Sequence, residues 1–286
     1  MIPGSTAEAV TLGLSAAAVW GASDFSGGFV TRRTSPAYVV AIAHGLSLIV
    51  ILALVPVLHA GLPNRVTVVT GLIGGAAGGV GLLLLYEALS IGSMGLTASV
   101  SGVVTAILPV VASFFRDGRP TPLRLAGFAV ALAAIWLISW SPGSKTHPRG
   151  IGLAVLAGIG FGVLLILLRT AGSGSVLWAM AFSRCGGVGC ALIASLFVRY
   201  GTASAAPIPW RRILPLATLA GALDTLGNLL YTLSALHGRL DVAAVLSSLY
   251  PAGTILLAVW LLRERASRSQ TAGMVLALAA VVMISL

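Results

Sequence analysis

Ten apolar stretches, each close to the length a helix needs to cross a lipid bilayer, follow one another with little between them. A hydrocarbon core of about 30 Å takes roughly 20 helical residues. The stretches are Ala7–Val30, Pro36–Leu58, Thr67–Ile91, Gly95–Phe115, Leu123–Trp140, Ile151–Leu168, Val176–Val198, Ile213–Leu236, Val242–Leu262 and Thr271–Leu286. In lipid each backbone amide must find its partner within its own segment, so such stretches fold as helices. Composition excludes a soluble alternative. Of 286 residues 58% are hydrophobic and 8% charged, whereas a soluble domain carries about 25% charged residues. The expected fold class is an all-α polytopic membrane protein with ten transmembrane helices, the last ending at the interface.

The net charge of +10 would suit nucleic acid if the bases formed one patch. They do not: Arg32-Arg33, Arg211-Arg212 and Arg263, Arg265 and Arg268 lie in short connections, as loop charges that orient membrane helices do. Cys185 and Cys190 share one apolar stretch and read as packing residues. No cleavable leader is expected, because the first stretch lacks a basic flank and is long enough to span. The longest connection, Arg199–Arg212, contains Ala206–Trp210, whose prolines break helix and whose Trp210 suits the headgroup level. No connection is long enough for a soluble domain.

The chain repeats itself. A shift of 146 places Gly92 on Gly238, Ser101 on Ser247 and Gly127 on Gly273. Over Arg119–Ser139 against Arg265–Ser285, nine of 21 positions are identical, in the pattern Arg-x₆-Ala-Gly-x₃-Ala-Leu-Ala-Ala-x₃-Ile-Ser. The halves are residues 1–145 and 146–286, five helices each. A repeat with an odd number of spans enters on one side and leaves on the other, so its copy is inverted. Inverted repeats are a common architecture of alternating-access carriers, with the substrate between the halves near mid-depth.

Several residues carry a family resemblance: Trp20-Gly21-Ala22-Ser23-Asp24-Phe25 in helix 1, and Arg119-Pro120-Thr121 followed by Gly127. In the second half they are Pro251 and Leu262-Arg263-Glu264-Arg265 followed by Gly273. In this order and spacing the chain resembles the EamA-type branch of the drug/metabolite transporter superfamily over essentially its whole length. The resemblance implies a ten-helix carrier in a bacterial-type cytoplasmic (inner) membrane that exports small metabolites such as amino acids or drugs. Three positions depart from the family pattern. Gly118 stands where the turn usually has glutamate, Pro109 lies one turn later than symmetry with Pro251 requires, and Asp24 stands where many relatives have an uncharged polar residue.

Ionisable groups inside spans are costly, roughly 2.5–3.5 kcal/mol each at mid-depth on insertion scales, so each needs a reason. Asp24, Glu87, Arg184 and Asp224 stand out, with His44 a weaker fifth. Asp24 and Glu87 sit toward helix ends that face the same side, where they would line one vestibule and carry protons. The alternative for each is a paired structural strut. Asp224 and Asn228 are one turn apart and share a helix face. Arg184 either neutralises Asp224 or holds an anionic substrate group. Trp20, Tyr86, Tyr231 and Tyr250 are candidate cavity walls, and Pro109 and Pro251 are expected helix kinks.

Gly71, Gly74, Gly75, Gly78, Gly79 and Gly81 in helix 3 give overlapping small-xxx-small faces for close helix packing. Gly158, Gly160 and Gly162 mimic a dinucleotide fingerprint, but neither a preceding strand nor an acidic ribose partner accompanies them. His44, His59, His147 and His237 have no metal-ligand spacing, Lys145 is no Walker lysine, and no nucleophile elbow occurs. No enzyme activity, cofactor or metal is expected. The expected partners are a small-molecule substrate and the lipid bilayer, with no nucleic acid; oligomeric state is open and a monomer suffices.

Ten bases on odd-numbered connections against six on even ones favour both termini outside. The family resemblance favours both inside, and orientation stays open. The function read from the sequence is proton-coupled secondary transport by alternating access. The substrate would sit near Asp224, Asn228 and Arg184, and Asp24 would be the coupling group. The alternatives are a flippase for a lipid-linked or amphipathic substrate and a non-transporting membrane interaction or sensor protein.

Overall fold

The structure, a computed structural model, describes residues 6–91, 94–139, 148–197, 210–262 and 267–286. Eleven helices appear among the described residues: α1 (Thr6–Thr31), α2 (Pro36–Val57), α3 (Arg65–Ile91), α4 (Met94–Arg116), α5 (Pro122–Ser139), α6 (Pro148–Gly172), α7 (Val176–Phe197), α8 (Trp210–His237), α9 (Leu240–Ser247), α10 (Tyr250–Leu262) and α11 (Arg268–Ser285). Local chemistry sets several starts. The Ser35 side chain accepts from the amide of Ala37 ahead of Pro36, which tolerates the first turn because it has no amide to satisfy. Ser267 and Gln270 form a reciprocal capping box on α11.

Nine of the ten expected helices appear within a few residues of their expected ends. The ninth is two. Pro251 was expected as a kink inside one span, but the chain turns at Ser248–Leu249 and Pro251 is the second residue of a new helix, α10. Proline cannot donate to the carbonyl four residues back and its ring crowds that turn, whereas in a first helical turn neither matters. Pro109 lies inside α4, where the helix continues past it.

Six helices are long and apolar enough to cross a membrane: α2, α3, α6 and α7 whole, α4 from Leu96, and α8 from Ile213. Ten were expected. The others are shorter or less apolar: α5 and α11 have 18 residues each, α9 and α10 divide one span, and α1 carries Glu8 and Asp24. The chain is a multi-pass membrane protein. Gly92, Lys145, His147, Arg199, Arg263, Glu264, Arg265 and residues 206–209 lie outside the described residues.

The helices pack α3 on α6 and α7, α1 on α8, α9 and α10, α4 on α6, α2 on α7 and α8, and α5 on α11. In lipid, apolar side chains gain little by facing one another, so close backbone approach carries association. The glycines of α3 provide it as the sequence predicts. A methyl at Gly75 would overlap the backbone of Ser183, one at Gly79 would lie 2.7 Å from the Cα of Gly187, and one at Gly74 would lie 3.0 Å from the Cβ of Leu167. On α6, Gly158 packs on Ser101 and Val104, Gly160 on Ala77 and Gly81, and Gly162 on Leu108 and Thr105. Gly21 of the Trp-Gly signature holds α1 against α10: its Cβ would meet the Tyr250 carbonyl oxygen at 2.7 Å, and the Thr254 hydroxyl donates to its own carbonyl at 3.1 Å.

Gly75→Val is therefore expected to destabilise the fold by about 1–3 kcal/mol or more, read as a lower thermal midpoint in detergent. Gly189→Ala on α7, where an added Cβ meets nothing within 4 Å, is expected to leave that midpoint unchanged or raise it slightly.

Candidate functional site

A cavity with about 390 Å³ of empty space lies where the central helices meet. Its walls are Trp20 and Asp24 of α1, Leu82 of α3, Thr105 of α4, Phe161, Leu164 and Leu165 of α6, Asp224 and Asn228 of α8, and Tyr250 at the head of α10. Thr105, Phe161 and Asp224 sit near the middle of their helices, and Tyr250 follows the α9–α10 break. The cavity is thus at half height in the bundle. A narrower void of about 230 Å³ shares Leu82, Phe161, Leu164, Asp224 and Asn228 with it and extends to His44, Arg184, Ser183 and the α3 glycines Gly75, Gly78 and Gly79.

Arg184 is 1% exposed. Its Nη1 donates to Asp224 Oδ2 at 2.5 Å and to His44 Nε2 at 2.8 Å. A guanidinium only donates, so His44 Nε2 accepts and the neutral imidazole carries its proton on Nδ1. The 3.4 Å approach of that nitrogen to Asp224 is then a contact, its lone pair being used by Arg184. The structural pairing of Arg184 with Asp224 is present, and the substrate-facing alternative keeps a foothold: Arg184 Nε and Nη2 are buried and without a hydrogen-bond partner among the described residues. Asn228, one turn from Asp224, is 2% exposed, and its carbonyl oxygen is unpartnered too.

Asp24 is 7% exposed and lines the cavity, with no hydrogen bond or ion pair among the described residues. Trp20 stacks on Tyr231 at 5.9 Å between centroids, and its indole Nε1 is unpartnered. Tyr250 lines the cavity and anchors its hydroxyl on the Ala98 carbonyl at 3.1 Å.

Three expected site residues are placed elsewhere. Tyr86 is fully buried with its phenol against Gly27 of α1, where a Cβ would overlap the phenol ring. Tyr231 stands behind Trp20 and donates to the Leu165 carbonyl at 2.9 Å, so it props the wall without forming it. Glu87 does not join Asp24 in one vestibule. It lies close to the end of α3 and faces Arg149 at 3.6 Å, both side chains well exposed. Phe161 and Thr105 went unremarked in the sequence, because an aromatic and a threonine in an apolar helix carry no signal of which face turns inward.

A second polar cluster lies at the end where α4, α6 and α8 finish and α9 begins. Asp117 accepts from Arg169 Nη1 at 2.9 and 2.7 Å and from the Leu240 amide at 2.9 Å. Arg239 donates to the carbonyls of Asp117 and Gly118, at 2.7 and 2.8 Å, and grips the buried Asp241 at 3.1 and 2.8 Å. Gly118 has φ +77°, a left-handed conformation that glycine adopts without strain. His237 and Glu8, 2.9 Å apart, tie the end of α8 to the start of α1. The sequence hint was the Arg239-x-Asp241 spacing, together with Asp117 in a connection on the same side.

Burial works against charge on Asp117, but hydrogen bonds from Arg169 and the Leu240 amide outweigh it and hold its carboxyl below the ordinary range. A depressed folded value means stabilisation that is complete above the unfolded value, about pH 4, and is lost as pH falls through the folded one. The gap in melting midpoint between wild type and Asp117→Asn should stay constant from neutral to mildly acid pH and close below about pH 4. At the buried pair, Asp224→Ala should cost about 3–5 kcal/mol by stranding Arg184, whereas the double change Arg184→Met with Asp224→Ala should cost less than the sum of the singles. A detergent unfolding cycle measures this coupling.

Residues 148–286 match the family model described as EamA-like transporter family. No curated protein matches the sequence. A crystal structure of another protein, 18% identical, superposes with a TM-score of 0.73 over 97% of this chain and 98% of that one, a likeness of fold. The resemblance carried by Pro251 and Gly273 is therefore borne out, and residues 148–286 are similar to the EamA-like transporter family.

Proposed function

We propose that this chain is a secondary transporter of small metabolites, working by alternating access between inverted five-helix halves, residues 1–145 and 146–286, in the cytoplasmic membrane. The observation that carries this reading is the half-height cavity, walled by helices of both halves and holding an unpartnered carboxylate, Asp24. Helix pairing supports the inversion. Exchange each helix for its counterpart and α1 on α8 becomes α6 on α3, α4 on α6 becomes α9 and α10 on α1, α3 on α7 becomes α8 on α2, while α2 on α7 and α5 on α11 map onto themselves. The broken α9–α10 span beside the cavity fits a carrier site as well, since interrupted helices bring backbone ends to a substrate.

Asp24 is the coupling group in this reading, and the cluster around Asp117, Arg169 and Arg239 is the fastening that must open for the cavity to reach that end. Export is the direction favoured by the family. The reading is tested in proteoliposomes loaded with a pH-sensitive dye, under an imposed proton gradient, with pools of amino acids, amines, nucleosides and sugars, and with tracer flux in parallel. Proton movement triggered by one pool, and lost in Asp24→Asn, is the expected result. Coupled flux unchanged in Asp24→Asn would remove the coupling role, and no flux of any pool by either readout would sink the transport reading.

A further inference from the structure

We infer that the central cavity selects a protonated primary or secondary amine on a compact apolar body, its ammonium group held by Asp24 and the Asn228 carbonyl oxygen. The inference rests on the reading of this cavity as the substrate site and adds the chemical class.

Two charged side chains line the cavity among the described residues, and both are acids, Asp24 and Asp224. Arg184 meets Asp224 from the narrower void and is not part of the cavity wall. With His44 neutral, that pair cancels and Asp24 is the one uncompensated charge. A carboxylate withdrawn from water requires a proton or a cation. The hydrogen-bonding groups have the same bias. The Asp24 carboxylate and the Asn228 carbonyl oxygen are unpartnered acceptors. The Thr105 hydroxyl spends its proton on the Ser101 carbonyl at 2.8 Å and so faces the cavity as an acceptor as well.

Such a set is matched by N–H donors on a cation. A quaternary ammonium offers none, and an alcohol lacks the charge. A zwitterion brings a carboxylate that would have to sit beside two acids; the cavity wall offers it the unpartnered Trp20 indole N–H, and the unpartnered Arg184 Nε and Nη2 lie off the wall in the narrower void. Trp20, Phe161 and Tyr250 supply aromatic surface for the apolar body and for cation–π attraction.

The test is equilibrium binding to the full chain in nanodiscs, using tritiated phenethylamine. Competitors are butylamine, tryptamine, phenylalanine, trimethylphenethylammonium and phenethyl alcohol. Saturable binding is expected, with the amines competing at least about tenfold better than the other three. Asp24→Asn should weaken binding by about tenfold or more, and Asp24→Glu should restore part of it. Phenylalanine or the quaternary analogue competing as well as the amines, amine binding unchanged in Asp24→Asn, or no saturable amine binding by folded wild type would each overturn the inference. The competition series needs only wild type, so a variant that fails to fold does not blunt it. Amine binding without flux would remove the transport reading and leave this one standing. Flux of amino acids, nucleosides or sugars without amine binding would do the reverse.

Discussion

Glycine-lined backbone contact is the constraint on which the rest of this bundle depends. Where lipid is the outer solvent, helices are not pressed together by the hydrophobic effect, and van der Waals contact between closely fitted surfaces takes over. α3 approaches α6 and α7 along Gly74, Gly75, Gly78 and Gly79, with Gly187 answering from α7. That fit fixes where larger side chains must leave the contact. The narrow void opens against these glycines, and beside it, where Leu82, Phe161 and Leu164 replace them, the cavity begins. The same fit locks His44, since a Cβ at Gly187 would occupy the place of its imidazole. Cavity and polar centre therefore follow from where α3 and α7 have no side chains.

The polar centre is asymmetric in a way that matters for chemistry. α2 and α7 each have 22 residues, and His44 and Arg184 are each the ninth of their helix. They touch each other across the contact of these two helices. One member of this matched pair is a permanent cation and the other a neutral ring. Asp224 answers the cation from α8, while the shift of 146 puts Gly78 at the corresponding place in α3. The buried arginine is balanced once, from one half, and the acid of α1 is left facing the cavity. A symmetric centre would leave no spare charge to hold a substrate or a proton.

Much of this was legible in the sequence. The positions of nine of the ten expected helices followed from apolar length, because the bilayer imposes a scale that few local effects override. The Arg184–Asp224 pair followed from the cost of isolated charges in apolar helices. Other features were not legible, each for a physical reason. Tyr86 and Tyr231 read like wall residues, yet a buried phenol will serve any backbone carbonyl or gap within reach, and they found Gly27 and Leu165. Glu87 had a base to meet in Arg149, which a reading by spans alone does not place beside it. Pro251 was expected to kink one span, and the chain instead turns at Ser248–Leu249, with the Ser248 carbonyl and the Pro251 ring close to Gly102 of α4.

The fastening at the end of α4, α6 and α8 is confined to one end of the bundle. Moved by 146 residues, Asp117 becomes Arg263, Gly118 becomes Glu264, Arg239 becomes Ser93 and Asp241 becomes Gly95. The acid–base set that grips one end is thus not written at the positions that correspond to it at the other. Arg239 satisfies two carbonyls and a buried carboxylate at once, so opening this end exposes several groups to water together, whereas the pair seen near the end of α3, Glu87 with Arg149, is a single long contact between exposed side chains. Exposed pairs of that kind contribute little. Among the described residues the Asp117 end is thus gripped by several charge-assisted hydrogen bonds at once, and Asp24 lies past the middle of α1 toward the opposite end.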